Sequence, residues 1–401
     1  MPKKNLKWVS INKLELCIPI SYGISKRFFD AGINYRKMLY DAIGKKSIER
    51  FCLKKGVTKY LRKNDKPTEA QLKELYQAAL DFKRDQPWKW LYDADIICVE
   101  NPKDKMMGYC SVMGKGGEHY ALGVYLGDEG IFGFYHLMEN ADTIPSHQAI
   151  QFQNCLMCSF EDREQLANDD RKQIKTLGLS FRGRNAWPLF RRHESGYYPW
   201  VINQEECIFL THALRQTLYV ANDLMAGRLK MDMEQGKTIL RYSEEKDGEL
   251  KWYSKKIQLS VPTVKYKPVV INDDMLIRKV KKASSMGDIT LQLDVCYMPS
   301  PVQEDKDERP YFPRVFIIAE QNSGLILDFE MYQSIDDDTN VTLNKLIGVC
   351  LEKGIPKEIK VRSESMVAIL DDFCKKTGIK LKTVKRLAGV DQFIKELEHR
   401  F

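Results

Sequence analysis

Residues 289–297 read Ile289-Thr290-Leu291-Gln292-Leu293-Asp294-Val295-Cys296-Tyr297. Apolar side chains fall on every second position, and Thr290, Gln292 and Asp294 fall between them. A period of two predicts a half-buried strand with Asp294 on its polar side. Beyond the charged loop Glu304–Arg309, Val315–Glu320 and Leu325–Tyr332 read as two strands joined by the tight turn Asn322-Ser-Gly324. Thr342–Leu351 has helical spacing and stops at Gly354-Ile-Pro356. Ile359–Arg362 is a strand. Ser363 is placed to cap a helix that runs to Lys376 and ends at Gly378. Ile379–Val384 is a last strand, and residues 391–400 a last helix. The order from 288 to 401 is β, β-hairpin, α, β, α, β, α.

Upstream, Thr68 with Gln71 three residues on marks a helix start, and Leu72, Leu75, Ala79 and Phe82 give the helix one apolar face. Ile96–Val99, Met106–Met113 and Tyr120–Tyr125 read as strands, followed by helices over 129–139, 161–176 and 205–226. Gly114-Lys-Gly-Gly117 lacks the spacing of a phosphate-binding loop and reads as a hairpin turn. Residues 236–287 read as a separate hairpin and linker helix. The expected architecture is multidomain α/β and α+β, with units at 1–64, 65–235, 236–287 and 288–401.

The C-terminal order resembles the RNase H-like fold, specifically the catalytic cores of transposases and retroviral-type integrases, as a β-β-β-α-β-α-β-α domain. The local matches are Leu-Gln-Leu-Asp294-Val, Asn322-Ser-Gly-Leu-Ile-Leu-Asp-Phe329 and Glu352-Lys-Gly-Ile-Pro-Lys-Glu-Ile359. The resemblance implies a first metal-binding carboxylate at Asp294. Two-metal chemistry needs several converging carboxylates. The second acid belongs at the end of the fourth strand, where this chain has Ser363. Glu364 lies one residue on, and Asp391 or Glu396 on the last helix are candidates for a third. The loss at 363 implies a degenerate scaffold, with a divalent metal relevant only to a nuclease reading. Residues 86–400 also resemble uncharacterised bacterial proteins made of two domains of unknown function, through Trp90 to Gly127, Arg182-Gly183 and Pro199-Trp200.

Hydrophobic residues make up 43% and charged residues 29% of the 401 residues, which excludes a disordered or fibrous chain. Ten cysteines are scattered through apolar strings, the pattern of reduced core thiols. Cys155-Leu-Met-Cys158 has no partner pair at zinc spacing and reads as core. No run of 18 apolar residues and no signal-peptide core occur, so the expected location is the cytoplasm, without a membrane partner. None of the six histidines sits in a recognisable catalytic motif.

The net charge of +8 is unevenly divided. Residues 1–64 carry 16 Lys/Arg and 4 Asp/Glu, a net of +12, against −4 on the rest. Lys26, Arg27, Arg36, Lys37, Lys45 and Lys46 are candidate phosphate contacts on this basic helical unit. A second candidate is the segment 181–200, where Arg182, Arg184, Arg191 and Arg192 interleave with Phe181, Trp187, Phe190, Tyr197, Tyr198 and Trp200. Stacking rings and cationic side chains suit single-stranded nucleic acid. The same pattern also suits aromatics laid into a core with arginines at its rim. The leading expectation is a non-catalytic, cofactor-free binding protein that contacts nucleic acid. The alternatives are a metal-dependent nuclease or transferase using Asp294, and a protein-interaction module.

Overall fold

The computed structural model describes residues 7–8, 66–140, 144, 146–262, 266–303, 308–333 and 335–400. The chain is mixed α/β and divides into two compact units, one described from 66 to 262 and the other from 266 to 400. Lys7–Trp8 (β1) pairs antiparallel with Val302–Gln303 (β11), and both belong to the second unit.

The central unit is built on an eight-stranded sheet. Its strands are β2 (Ile97–Glu100), β3 (Met107–Met113), β4 (Ala121–Leu126), β5 (Cys155–Glu161), β6 (Trp187–Glu194), β7 (Tyr197–Trp200), β8 (Lys237–Lys246) and β9 (Glu249–Gln258). Their spatial order is β7-β6-β5-β4-β3-β2-β8-β9, antiparallel throughout except for the β2–β8 step. The turn Gly114–Gly117 joins β3 to β4, with the Gly117 N–H donating to the Gly114 carbonyl.

Helices α1 (Glu69–Asp85) and α5 (Gln204–Met225) share one large core with the sheet. Thr68 and Gln71 close a reciprocal cap on α1, and Asn203 and Glu206 do the same on α5. Each such cap satisfies two backbone donors that have no partner within the helix. The alternation of the strands divides their apolar side chains between two faces. Ile97, Val99, Val112 and Val124 join the α1/α5 core, while Ile96, Cys98, Tyr125 and Met157 join a core with α2 (Gly127–Glu139). Burying each of these large side chains stabilises the unit by about 1.5–3 kcal/mol. Gly133 on α2 approaches the chain so closely that an added Cβ would lie 1.9 Å from the Phe152 carbonyl oxygen.

Two expectations change here. The helix expected over 161–176 is shorter, because Glu161 ends β5 and a capping box between Asp162 and Gln165 closes a separate 3-10 turn. The single turn α3 (Ser146–Ala149) precedes β5, and α4 itself is Asn168–Thr176. The hairpin read as part of a separate unit extends the central sheet, since β8 buries Thr238 and Ile239 and pairs with β2.

The second unit has a five-stranded sheet of β10 (Thr290–Tyr297), β12 (Arg314–Glu320), β13 (Ile326–Tyr332), β14 (Glu358–Val361) and β15 (Lys380–Thr383). The order is β13-β12-β10-β14-β15. β12 runs antiparallel to its neighbours, and β14 and β15 run parallel to β10. Leu291 and Leu293 face a core with α6 (Asp274–Lys281), α7 (Asp338–Lys353) and α8 (Glu364–Thr377). Ile277 and Val280 of α6 enter this core, so the linker helix belongs to the second unit. On the opposite face Val315, Ile317 and Ala319 meet Val390 and Ile394 of α9 (Ala388–Arg400). Ser363 caps α8 by accepting from the Met366 N–H. Gly378 closes the helix in the left-handed conformation at φ 81°. A left-handed residue at that position is disfavoured for any side chain with a Cβ.

Candidate functional site

Asp294 lies on the α9 side of β10, opposite Ile317 of β12, and is 4% exposed. An isolated carboxylate at that depth is strongly disfavoured. Its partner is Arg362, the residue immediately after β14, whose Nε donates to Asp294 Oδ2 at 2.6 Å. The Nη1 of the same guanidinium lies 2.7 Å from Asp391 Oδ1 on α9. Asp391 Oδ2 in turn accepts from the Leu387 N–H at the start of α9. One cation therefore ties together β10, the end of β14 and the first turn of α9. Burial pushes the Asp294 carboxyl up, and Arg362 and the Val295 N–H pull it back toward the charged form. Arg362 is held above its ordinary value, the two carboxylates outweighing its burial.

This geometry decides the fate of the four acidic candidates. Asp294 and Asp391 are brought together, but around a guanidinium. Glu364, the first residue of α8, is exposed, and the Ser363 cap turns the chain away before it. Glu396 accepts from Gln392 one turn earlier on α9. Among the described residues no three His, Cys, Asp or Glu side chains gather to hold a metal ion. The donor set does not fit a divalent cation, since a fixed positive charge already sits where both carboxylates point.

A second buried pair braces the same unit. Arg314 on β12 donates from Nε to Asp338 Oδ1 at 3.0 Å and from Nη2 to Asp338 Oδ2. Tyr332 donates to Asp338 at 2.7 Å, and the Arg314 guanidinium stacks over the Tyr297 ring. Asp338 begins α7, so the acidic run Asp336-Asp337-Asp338 anchors this helix to the sheet.

Lys26, Arg27, Arg36, Lys37, Lys45 and Lys46 lie outside the described residues. In the arginine–aromatic segment three of the six rings turn inward. Phe181 stacks on Tyr76 of α1, Phe190 meets the same ring edge-on, and Trp187 packs edge-on against Phe181. Arg191 forms a two-pronged pair with Asp170 of α4, at 3.0 and 2.6 Å. Arg192 pairs with Glu206 at 3.3 Å. Arg182 and Arg184 are exposed, with Asp162 3.9 Å from Arg184. Phe181, Trp187 and Phe190 thus serve the core, while Tyr197, Tyr198 and Trp200 lie half-buried on β7.

Cys155 and Cys158 of β5 enter opposite cores and are both fully buried, which removes them as a ligand pair. Burial pushes the Cys155 thiol up to about 12. His136 packs between the Phe132 and Phe152 rings, and His212 against Trp252.

The sequence reading passed over Arg362. Its signal was present: in a parallel pair the residue following β14 lies beside the C-terminal half of β10, where Asp294 sits. Also passed over was the stretch 373–390, which holds six Lys/Arg and no acid.

Among the described residues no helix is long and apolar enough to cross a membrane. Residues 73–241 match the model of a domain of unknown function (DUF7309), and residues 276–398 match that of another (DUF6930). The comparison with curated proteins gives no match. The two matches fall one on each of the two compact units, so the described chain is similar to two domains of unknown function, one in each unit.

Proposed function

We propose that the protein is a non-catalytic nucleic-acid-binding protein whose C-terminal unit is an RNase H-like scaffold that has exchanged its metal for an arginine. The observation that carries the non-catalytic reading is the Asp294–Arg362–Asp391 cluster. An RNase H-like site places divalent cations against converging carboxylates; here the guanidinium neutralises both. The strand order β13-β12-β10-β14-β15, with β14 and β15 parallel to β10, supports the scaffold assignment. The eight described cysteines are all free thiols and seven are buried, which supports a reducing compartment.

The nucleic-acid reading rests on the net charge of +12 in residues 1–64. Polyanion binding by such a segment releases counterions and falls steeply with salt. The test is the anisotropy of labelled DNA and RNA titrated with the full chain and with a variant carrying Gln at Lys26, Arg27, Arg36, Lys37, Lys45 and Lys46. Salt-dependent binding that the variant weakens is the expected result. Absence of binding at low salt refutes the reading. Cleavage in Mg²⁺ or Mn²⁺ that Asp294→Asn abolishes would instead establish the nuclease alternative.

A further inference from the structure

Among the described residues, α9 covers only half of its side of the second sheet. The core beneath α9 takes its sheet side chains from β10, β12 and β13 and none from β14 or β15. Register fixes what the uncovered half displays. Glu358 pairs with Lys380 and Lys360 with Lys382, while Ile359 and Leu381 turn to the opposite core. Lys360, Lys380 and Lys382 therefore line one strip with Arg362 at its end. Lys385 and Arg386, both exposed, extend it beyond β15, the edge strand of the sheet.

Three carboxylates answer these six cations, and two of them, Asp294 and Asp391, are spent on Arg362. Glu358 lies 3.3 Å from Lys380 and 3.7 Å from Lys360. Lys382, Lys385 and Arg386 take part in no ion pair or hydrogen bond among the described residues. Among the described residues the strip offers no aromatic or aliphatic anchor of the kind that centres a protein–protein interface. Long, mobile cations over a polar strand face suit a regular array of single negative charges.

We propose that this strip binds the phosphodiester backbone of a nucleic acid strand, without base selection. This inference rests on the nucleic-acid reading but shares no residue with 1–64, so separate variants test the two. The test uses the full chain and a labelled single-stranded DNA oligonucleotide, with anisotropy read across a salt series. The variant is Lys382→Gln/Lys385→Gln/Arg386→Gln, and the control is Lys172→Gln, a lysine paired with Asp169 in the other unit. Single-strand contacts contribute a slope of about −0.7 each to log affinity against log salt, so removing three lowers the slope by about 2. Between about 50 and 200 mM salt, wild-type affinity should therefore fall about 20-fold more than that of the triple variant. The control should match wild type. The substituted side chains are exposed, so circular dichroism melting should be unchanged and a loss of binding is not a loss of fold. Unaltered affinity and slope in the triple variant overturn the proposal, even if the variant in residues 1–64 loses binding. Equal displacement of the DNA by polyglutamate overturns the nucleic-acid assignment in favour of an acidic peptide partner.

Discussion

Arg362→Met removes the guanidinium while keeping most of the side chain's length and apolar bulk. Asp294 is left 4% exposed with no cation beside it, whereas Asp391, with 40% of its side chain exposed, rehydrates. Breaking a buried pair on one side costs about 3–5 kcal/mol, because the remaining charge is uncompensated. Arg362 keeps 29% of its side chain in solvent, which favours the lower end of that range. Five of the six tryptophans lie in the central unit and only Trp8 in the second, so fluorescence reports mainly on the central unit. Hydrogen exchange followed by mass spectrometry on β10 reports locally. A loss of about 3 kcal/mol accelerates exchange of the most protected β10 amides by about two decades. The pH dependence has a definite sign. Burial already holds Asp294 above the ordinary carboxylate value of 3.8, and without Arg362 only the Val295 N–H opposes burial and Asp391, so its folded value rises further. A raised folded value contributes stability at low pH that is lost as pH climbs through it. Arg362→Met should therefore be least harmful near pH 4 to 5 and worst near pH 8. Arg362→Met/Asp294→Leu removes both charges and should recover much of the loss. Wild-type exchange on β10 in Arg362→Met at pH 8 would refute the buried-pair assignment.

Other outcomes follow from the same contacts. Gly133→Ala drives a Cβ to within 1.9 Å of a backbone carbonyl, and melting of the central unit should fall by about 3 kcal/mol or more; unaltered melting would contradict that packing. Burial lowers His212 from 6.5, with Arg215 adding to the effect. The unfolded chain then takes up the proton first, so the central unit loses stability as pH falls through about 6.5. His212→Phe should flatten that dependence in urea titrations read from tryptophan fluorescence. Thr68→Ala opens the α1 capping box and should cost about 1 kcal/mol in the same titration.

Local signals carried much of the fold. Thr68 with Gln71, Ser363 and Gly378 are helix ends whose chemistry lies within three or four residues, and each appears where its spacing demands. The alternation in 289–297 fixed both the strand and the side of it that Asp294 occupies. What the sequence did not disclose depends on distant partners. The place of β8 beside β2 rests on a pairing across about 140 residues, invisible to periodicity. Arg362 is 68 residues from Asp294 in the chain, and a search for acids passes over the cation that neutralises them. The arginine–aromatic segment was ambiguous for a different reason. Exposed stacking platforms and core rings share one composition, and only the contact of Phe181 and Phe190 with Tyr76 separates them.

The central claim is that a guanidinium has replaced a metal at Asp294. Isothermal titration of Mn²⁺ into the full chain, set beside Asp294→Asn, tests it most directly. The account predicts identical isotherms for the two proteins, because Arg362 already neutralises Asp294. Mn²⁺ binding that Asp294→Asn abolishes would contradict it.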